Sequence, residues 1–410
     1  MESKFRRAFN SSDYAALFAK YRGWLTERVG EFPFRLAETP LFFEKRLLEH
    51  LATSAVEITS QLSTKDKLAE LVKAIPAHYD VPNMTDLPDC VQVDFALCRN
   101  AEGVLEGKVV ELQAFPSLYA LETLEGDAWN HVLQGVPGLD GAWSCFFDAD
   151  RERNIETMRS CILGGCEPED VVLVDFEPHN QKTSPDFAAT KLLFDVDSVC
   201  VTDLVVEGRK VYRMLGGKKI PVRRIYNRMV FDELEVKKVP VPFRWNDELD
   251  VTWCSHPNWY WVWSKFCLPH VDHPAVPKAT FLSDLKEIPA DLENYVLKPL
   301  FSFAGSGVVI DVTRAAIDAV PEERRSGYVL QKKIEYAWSI DLPGELKTEE
   351  APGVKAEVRV MLMREGPGKP LAPLIPLVRL SRGKMLGVDQ NKNAATAWTG
   401  GAVGIWQPSR

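Results

Sequence analysis

Two apolar segments near residue 100 carry oxygen-bearing side chains at positions that could bind a cation. In VQVDFAL, residues 91–97, strand alternation places the apolar side chains on one face and Asp94 on the other. In VVELQAFPSLYALE, residues 109–122, Glu111 and Gln113 share one face of a second strand. Mg²⁺ prefers a few carboxylate or amide oxygens and completes its shell with water and phosphate. Asp94, Glu111 and Gln113 are therefore predicted metal ligands; the alternative is two half-exposed strands with polar outer faces.

A lysine and a glycine-rich turn later in the chain could bind phosphate. Lys298 lies near the end of the predicted strand ENYVLKPL, residues 293–300, and Gly305, Ser306 and Gly307 follow before another predicted strand. An ammonium group beside bare backbone N–H groups suits a phosphate. This is not a Walker P-loop, because no Gly-Lys-Ser/Thr opens a helix after the glycines. A glycine hairpin with a solvated lysine fits the same residues equally well.

The segment YVLQKKI, residues 328–334, could be the hinge of a nucleotide pocket. The backbone of Gln331, Lys332 and Lys333 would then face the edge of the adenine. Taken alone, the pattern favours an ordinary amphipathic strand.

Two arginines lie on successive predicted strands near the C-terminus. Arg359 is in AEVRVMLM and Arg379 is in LIPLVRL, and Asn391 and Asn393 precede Gly400-Gly401. Arginines opposite a metal can neutralise the charge on a phosphoryl group during transfer. The alternative is a pair of surface ion pairs, which contribute little.

Cysteine and histidine residues between positions 254 and 273 offer zinc-ligand atoms. They are Cys254, His256, Cys267, His270 and His273. Their spacing matches no familiar zinc finger and prolines interrupt it, so zinc is the less favoured interpretation. Trp259 and Trp263 between them share a helical face and are predicted to lie in the core.

The amino-acid composition excludes several classes of protein. The chain has 410 residues, is 46% hydrophobic and 26% charged, and has a net charge of −9, which argues against general nucleic-acid binding. Its start lacks the apolar core of a signal peptide, and no run approaches a membrane span. Its eight cysteines form no CxxC pair and have no regular spacing. In a chain of this size without a signal sequence, we expect reduced thiols and a cytoplasmic location.

Hydrophobic periodicity predicts an α/β protein. Residues 1 to about 75 read as helices, and the period changes to two around 89–121. DVVLVDFEP, residues 170–178, reads as a buried parallel strand and is followed by a helix capped at Thr183 or Ser184. A hairpin through Gly216-Gly217 follows, and antiparallel strands dominate the last 120 or so residues.

In chain order, these segments resemble an ATP-grasp enzyme whose final strands have moved to the front. YVLKPLFSFAGSGV, YVLQKKI, EVRVM, LVRL and NKNAATAWTGG appear in the usual ATP-grasp order, and then the chain stops. The metal strands expected next are found instead near residue 100. This arrangement resembles the circularly permuted branch that includes eukaryotic-type glutathione synthetase and glutathionylspermidine synthase, over about residues 85–410.

The resemblance implies a permuted ATP-grasp fold that uses ATP and Mg²⁺. It divides the chain into an N-terminal helical region (1–80), permuted metal-site strands (81–150), a small Rossmann-like α/β domain (151–264), a lysine and glycine-loop lobe (265–350) and the remaining C-terminal lobe (351–410). It adds Lys265, in SHPNWYWVWSKF, and Asn393 to the predicted nucleotide contacts. Gln113 departs from the family's usual asparagine, and Ser302 stands where the glutathione synthetase loop has an acidic residue.

The activity that the resemblance implies is a carboxylate–amine ligase. Small-molecule or peptide acids and amines would be its substrates, with Arg359 and Arg379 as catalytic residues, and neither nucleic acid nor membrane is an expected partner. A kinase of the same fold, or a nucleotide-binding protein without catalysis, is the alternative. Substrate identity and oligomeric state do not follow from the resemblance.

Overall fold

The computed structural model describes residues 3–301, 307–383 and 396–408. The helices are α1 (Ser3–Asn10), α2 (Tyr14–Val29), α3 (Lys45–Leu62), α4 (Lys65–Leu71), α5 (Tyr119–Val132), α6 (Arg151–Leu163), α7 (Ser184–Phe194), α8 (Phe231–Val236), α9 (Trp259–Val262) and α10 (Arg314–Asp318). The strands are β1 (Leu41–Phe42), β2 (Cys90–Arg99), β3 (Leu105–Gln113), β4 (Val171–Asp175), β5 (Asp197–Cys200), β6 (Val205–Glu207), β7 (Lys210–Leu215), β8 (Lys218–Val222), β9 (Arg224–Asn227), β10 (Thr252–Cys254), β11 (Ala279–Phe281), β12 (Tyr295–Pro299), β13 (Tyr328–Lys332), β14 (Trp338–Asp341), β15 (Gly353–Met363), β16 (Ala372–Ser381) and β17 (Gly400–Ile405). The mixed α/β class predicted from the periodicity is confirmed.

The large sheet joins strands from opposite ends of the chain. Its strand order is β1-β17-β16-β15-β2-β3, and β14 pairs with the first residues of β15. β2 pairs antiparallel with both β3 and β15, so the strands of residues 90–113 complete the sheet formed by residues 353–405. This register places Asp94 directly opposite Glu111 on one side and Arg359 on the other.

The two faces of β2 differ as strand alternation predicts. Val91, Val93, Phe95 and Leu97 are all fully buried and belong to the main hydrophobic core. Helix α3 packs on this apolar face: a Cβ added to Gly107, opposite Leu97, would lie 2.4 Å from Leu51 Cδ2. The opposite face carries the polar side chains.

The parallel sheet consists of β10, β9, β4 and β5, in that order. Helix α7 connects β4 to β5, begins after Thr183 and has Pro185 in its first turn. The buried parallel strand, the helix after it and the hairpin of β7 and β8 around Gly216-Gly217 are therefore confirmed.

The small sheet consists of β11, β13 and β12, all antiparallel. The strand predicted after the glycine turn does not form: Val309 makes one isolated bridge to Leu297. The chain instead turns so that Val312 packs with Ile317 in the core of the small sheet, and α10 follows.

The N-terminal region is helical, as predicted. α1 to α4 occupy most of the first 71 residues. None of the helices in the described part of the chain combines the length and apolar character that crossing a bilayer requires. Trp259 and Trp263 lie in the core, 1% and 0% exposed, which confirms the prediction made for them.

Candidate active site

One face of the large sheet carries a continuous polar cluster, which we call the polar face. Its residues follow from the strand register and alternation: Gln92, Asp94, Glu111, Gln113, Glu357, Arg359 and Arg379. The structure thus brings all three predicted metal ligands and both predicted catalytic arginines to one surface.

Asp94 is the centre of the polar face and is held by two arginines. Arg359 donates from Nε to Oδ1 (2.6 Å) and from Nη2 to Oδ2 (2.7 Å), and Arg379 donates from Nη1 to Oδ2 (2.9 Å). Burial alone would raise the pKa of Asp94, which is 2% exposed, but the two guanidinium charges outweigh it and hold the pKa well below its usual value. Asp94 is therefore a carboxylate at every physiological pH.

Glu357 extends this network and was missed in the sequence. Arg379 Nη1 donates to Glu357 Oε1 (2.5 Å), and the Tyr336 hydroxyl donates to Glu357 Oε2 (2.8 Å). Burial raises the pKa of Glu357, and the charge of Arg379 opposes that rise. Strand alternation could have found Glu357, two residues before Arg359 in EVRVM, whereas no sequence signal points to Tyr336.

Glu111 lies beside Lys265 and Lys298, two of the four lysines predicted to contact a nucleotide. Lys265 Nζ is 3.2 Å from Glu111 Oε2. A register shift between β2 and β3 at Asp94/Phe95 leaves Val110 without a paired residue on β2, and Lys298 Nζ donates to its carbonyl oxygen at 2.8 Å. The bulge in β3 thus holds one lysine at the edge of the polar face.

Lys298 and Gln331 connect the small sheet to β3. Burial lowers the pKa of Lys298 to about 8, although the charge of Glu111 opposes the effect. Gln331 is 1% exposed and donates from Nε2 to the carbonyl of Val109 at 3.3 Å. Its Oε1 is buried and has no hydrogen-bond partner among the described residues, so it could accept from a ligand.

The other two hinge residues point elsewhere. The N–H groups of Lys332 and Lys333 donate to the carbonyls of Lys278 and Asn294. Their ammonium groups lie 3.3 Å from Asp291 and 3.5 Å from Asp311. The N–H groups of this segment are thus bonded within the protein, which leaves Gln331 as the residue that faces the polar cluster.

The glycine turn is described only at its end. Gly305, Ser306 and Asn393 lie outside the described residues. Gly307 has a φ of +72°, and a Cβ there would lie 3.1 Å from Pro299 Cγ, so the position favours glycine.

The amide of Gln113 lies between Gln92 and Arg359. Its amide nitrogen lies 2.7 Å from Gln92 Oε1, and Gln92 in turn donates to the carbonyl of Ser117. In the opposite orientation of the amide, the oxygen takes the place of the nitrogen and accepts from Arg359 Nη2 at 3.1 Å, in place of the bond to Gln92.

The residues that could hold Mg²⁺ have limited free capacity. Asp94 accepts three guanidinium N–H bonds, which leaves about one of the roughly four lone-pair positions of a carboxylate. Glu111, with 24% of its side chain exposed, is the more accessible carboxylate. One oxygen from each carboxylate and the amide oxygen of Gln113 fit the hard-oxygen preference of Mg²⁺.

The space at this surface is narrow. The cavity lined by Glu111, Gln113, Lys265, Tyr260 and Phe301 measures about 20 Å³. Ligand pockets usually measure about 300–1,000 Å³, so this cavity is too small for a nucleotide in the arrangement described. Cavities of about 530 and 560 Å³ lie elsewhere on the molecule.

Comparison with solved structures shows that this fold is shared with a known protein. No protein-family model matches the sequence, and no curated protein matches it. A solved structure does: a glutathione synthetase-like effector from Globodera pallida in its apo form, with a TM-score of 0.54 and 13% sequence identity over 91% of this chain and 96% of that chain. At this identity the likeness shows a shared fold, which extends over nearly the full length of both proteins.

Proposed function

We propose that this protein is an ATP- and Mg²⁺-dependent carboxylate–amine ligase. The observation that carries the proposal is the meeting of two carboxylates, Asp94 and Glu111, with two lysines from outside the large sheet, Lys265 and Lys298. In sites that transfer a phosphoryl group from ATP, carboxylates bind the metal ion and nearby ammonium groups bind the phosphates. The fold shared with the glutathione synthetase-like effector supports this choice over unrelated ATP-using classes.

The residues then have separate tasks. Glu111, Gln113 and the remaining position on Asp94 would hold Mg²⁺, which offsets phosphate charge. Lys265 and Lys298 would bind the phosphates. The buried Oε1 of Gln331 would accept a hydrogen bond from the nucleotide base, because its own Nε2 already donates to β3.

The arginines would act on the transferring group. Arg359 and Arg379 are fixed by Asp94 and Glu357, so their remaining N–H groups point at a defined place without reorganisation. Phosphoryl transfer to a substrate carboxylate would give an acyl phosphate, and an amine would then displace phosphate and form the amide. Exclusion of water when the lobes close would protect the acyl phosphate.

The test is ADP release screened against pooled amino acids, short peptides and polyamines, with mass spectrometry of the product. We expect ADP, phosphate and an amide, and a fall of about a hundredfold or more in rate for Glu111→Gln. Glu106→Gln, on the same strand but outside the polar face, is the matched control and keeps its activity. Equal rates for both variants would overturn the assignment of Glu111.

A second candidate is nucleotide binding without ligation. It is favoured by the engagement of both Asp94 oxygens with guanidinium groups, which leaves little capacity for a metal. It predicts that MgATP raises the melting temperature while no acceptor pool gives turnover. A kinase of the same fold would instead leave a stable phosphorylated product, which the same mass spectra reveal.

A further inference from the structure

Three cysteines far apart in the sequence meet in the interior. Cys90 begins β2, Cys161 lies in α6 and Cys254 ends β10, and their sulfur atoms all lie within 4.8 Å of one another. All three side chains are buried, and the Sγ atoms of Cys161 and Cys254 are 3.6 Å apart. We call this group the thiol cluster.

The spacing of the thiol cluster matches a metal site. With Zn–S bonds of about 2.3 Å, thiolates around a tetrahedral zinc lie about 3.8 Å apart. The observed separations reach this value with small side-chain movements. Buried cysteines elsewhere in the chain are arranged differently: Cys98 and Cys267 point at the backbone carbonyls of Ala96 and Ser264.

A carboxylate without a full set of partners lies beside the thiol cluster. Asp89 directly precedes Cys90, and its backbone carbonyl is 3.9 Å from Cys161 Sγ. Its Oδ1 accepts from Arg364 at 3.1 Å, whereas its Oδ2 is buried and has no hydrogen-bond partner among the described residues. A buried carboxylate oxygen without a donor is costly unless something binds it.

A positively charged side chain and a cavity both lie next to the thiol cluster. Arg224 donates to the carbonyls of Cys161 and Ile162 at the end of α6. A zinc ion with three thiolates and one carboxylate has a net charge of −2 (2 − 4), which the guanidinium groups of Arg224 and Arg364 can balance. The cavity of about 530 Å³ is lined by Asp89, Cys161 and Arg224, so it borders the thiol cluster on the side of Cys161.

We propose that Cys90, Cys161 and Cys254 bind one Zn²⁺. The Asp89 carboxylate does not lie within 4.8 Å of all three sulfurs and would complete the site by a movement of its side chain. The ion would fasten β2 of the large sheet to α6 and to β10 of the parallel sheet. This is a structural role, separate from the polar face and from its chemistry. The cysteines and histidines noted between positions 254 and 273 are not brought together as a set: Cys254 joins the thiol cluster, whereas His256 contacts the Pro82 carbonyl and His273 contacts Glu57.

The test is Co²⁺ titration of the full chain, reduced and stripped with a chelator. We expect one equivalent of Co²⁺ to produce thiolate-to-cobalt charge-transfer absorption in the near ultraviolet and Zn²⁺ to abolish it. Cys161→Ser and Cys254→Ser should weaken binding at least tenfold, and Cys98→Ser, a buried cysteine outside the cluster, should not. A folded, fully reduced wild type without this absorption overturns the proposal.

A second measurement covers the case in which the cysteine variants do not fold. Wild-type protein is alkylated with iodoacetamide with and without Zn²⁺, and each cysteine is followed by mass spectrometry. We expect Zn²⁺ to slow labelling of Cys90, Cys161 and Cys254 at least tenfold and to leave the half-buried Cys166 and Cys200 unchanged. Equal labelling rates with and without Zn²⁺ would overturn the proposal.

Discussion

At the scale of single residues, Asp94 is the anchor of the polar face. Its two oxygens fix Arg359 and Arg379, whose side chains are 7% and 20% exposed. Removing the carboxylate leaves the buried Arg359 guanidinium without a carboxylate partner among the described residues, whereas Arg379 keeps Glu357. The residue therefore has a structural task whether or not it also binds a metal.

Asp94→Asn should lower the free energy of unfolding by about 3–5 kcal/mol, because removing one partner of a buried ion pair leaves the charge of the other partner buried and unpaired. Asp250→Asn is the control: Asp250 pairs with Arg209 at 2.7 Å, but both side chains are about half exposed. That change should lower the free energy of unfolding much less, because exposed ion pairs contribute little. Urea unfolding of both variants checks the difference, and equal losses would contradict it.

Lys298 predicts an unusual dependence of stability on pH. Its pKa falls from 10.5 to about 8 on folding, so between these values the unfolded chain binds more protons than the folded one. Stability therefore rises with pH across this window and levels off above it. Lys298→Met removes the effect.

We expect the wild type to gain about 2 kcal/mol relative to Lys298→Met between pH 7.5 and 9.5. Urea unfolding of both proteins at the two pH values measures this difference. The exposed lysine variant Lys20→Met should follow the wild type. A gap that stays constant with pH would show that Lys298 is fully charged in the folded state.

At the scale of elements, two helix glycines have opposite environments. Gly126 lies within α5, where an added Cβ would be 2.2 Å from Cys145 Sγ and 2.6 Å from its Cβ. Gly23 lies within α2 with nothing within 4 Å of an added Cβ. Close packing of α5 depends on the first glycine, and nothing in the fold depends on the second.

Gly126→Ala should destabilise the protein by about 1–3 kcal/mol through overpacking. Gly23→Ala should stabilise it by up to about 1 kcal/mol, because alanine is the better helix former. Thermal and urea unfolding give both values. Two changes of the same sign would contradict the packing of α5.

Strand alternation explains which parts of the site the sequence could predict. It assigns Asp94, Glu111 and Gln113 to one face of their strands, and the structure places them there. Alternation does not predict the register between strands. The bulge at Val110 and the hydrogen bond from Lys298 to the Val110 carbonyl could therefore not be predicted from the sequence. Alternation also gives no warning that Arg359 binds Asp94 directly, because that contact depends on strands distant in the sequence.

The thiol cluster is also a contact between distant residues that the sequence does not predict. Its members come from a strand, a helix and another strand, at positions 90, 161 and 254. Zinc motifs are recognised by short spacings, so the sequence groups Cys254 with nearby cysteines and histidines and gives no link to Cys90 or Cys161. Only the packing of α6 against the two sheets brings the three sulfurs together.

At the scale of the whole molecule, β2 and β15 pair although Asp94 and Arg359 are 265 residues apart. Neither strand can open without exposing the other, since they share a ladder and a core. We expect amides of Val93, Phe95, Val358 and Val360 to exchange with one common free energy, that of global unfolding.

Native-state hydrogen exchange at increasing denaturant measures these values. The control is the hairpin of β7 and β8, whose strands are only two residues apart and partly exposed and which should open at lower free energy. If the amides of β2 exchanged as readily as those of the hairpin, the large sheet would not be one cooperative unit.

The long separation between β2 and β15 also has a consequence during synthesis. At about 5–20 residues per second, a ribosome needs roughly 13–50 s to make the intervening chain. Throughout that interval the nascent β2 has an unpaired edge and an apolar face, both of which invite association with other polypeptides. The free edge of β2 is therefore covered only once β15 has been made.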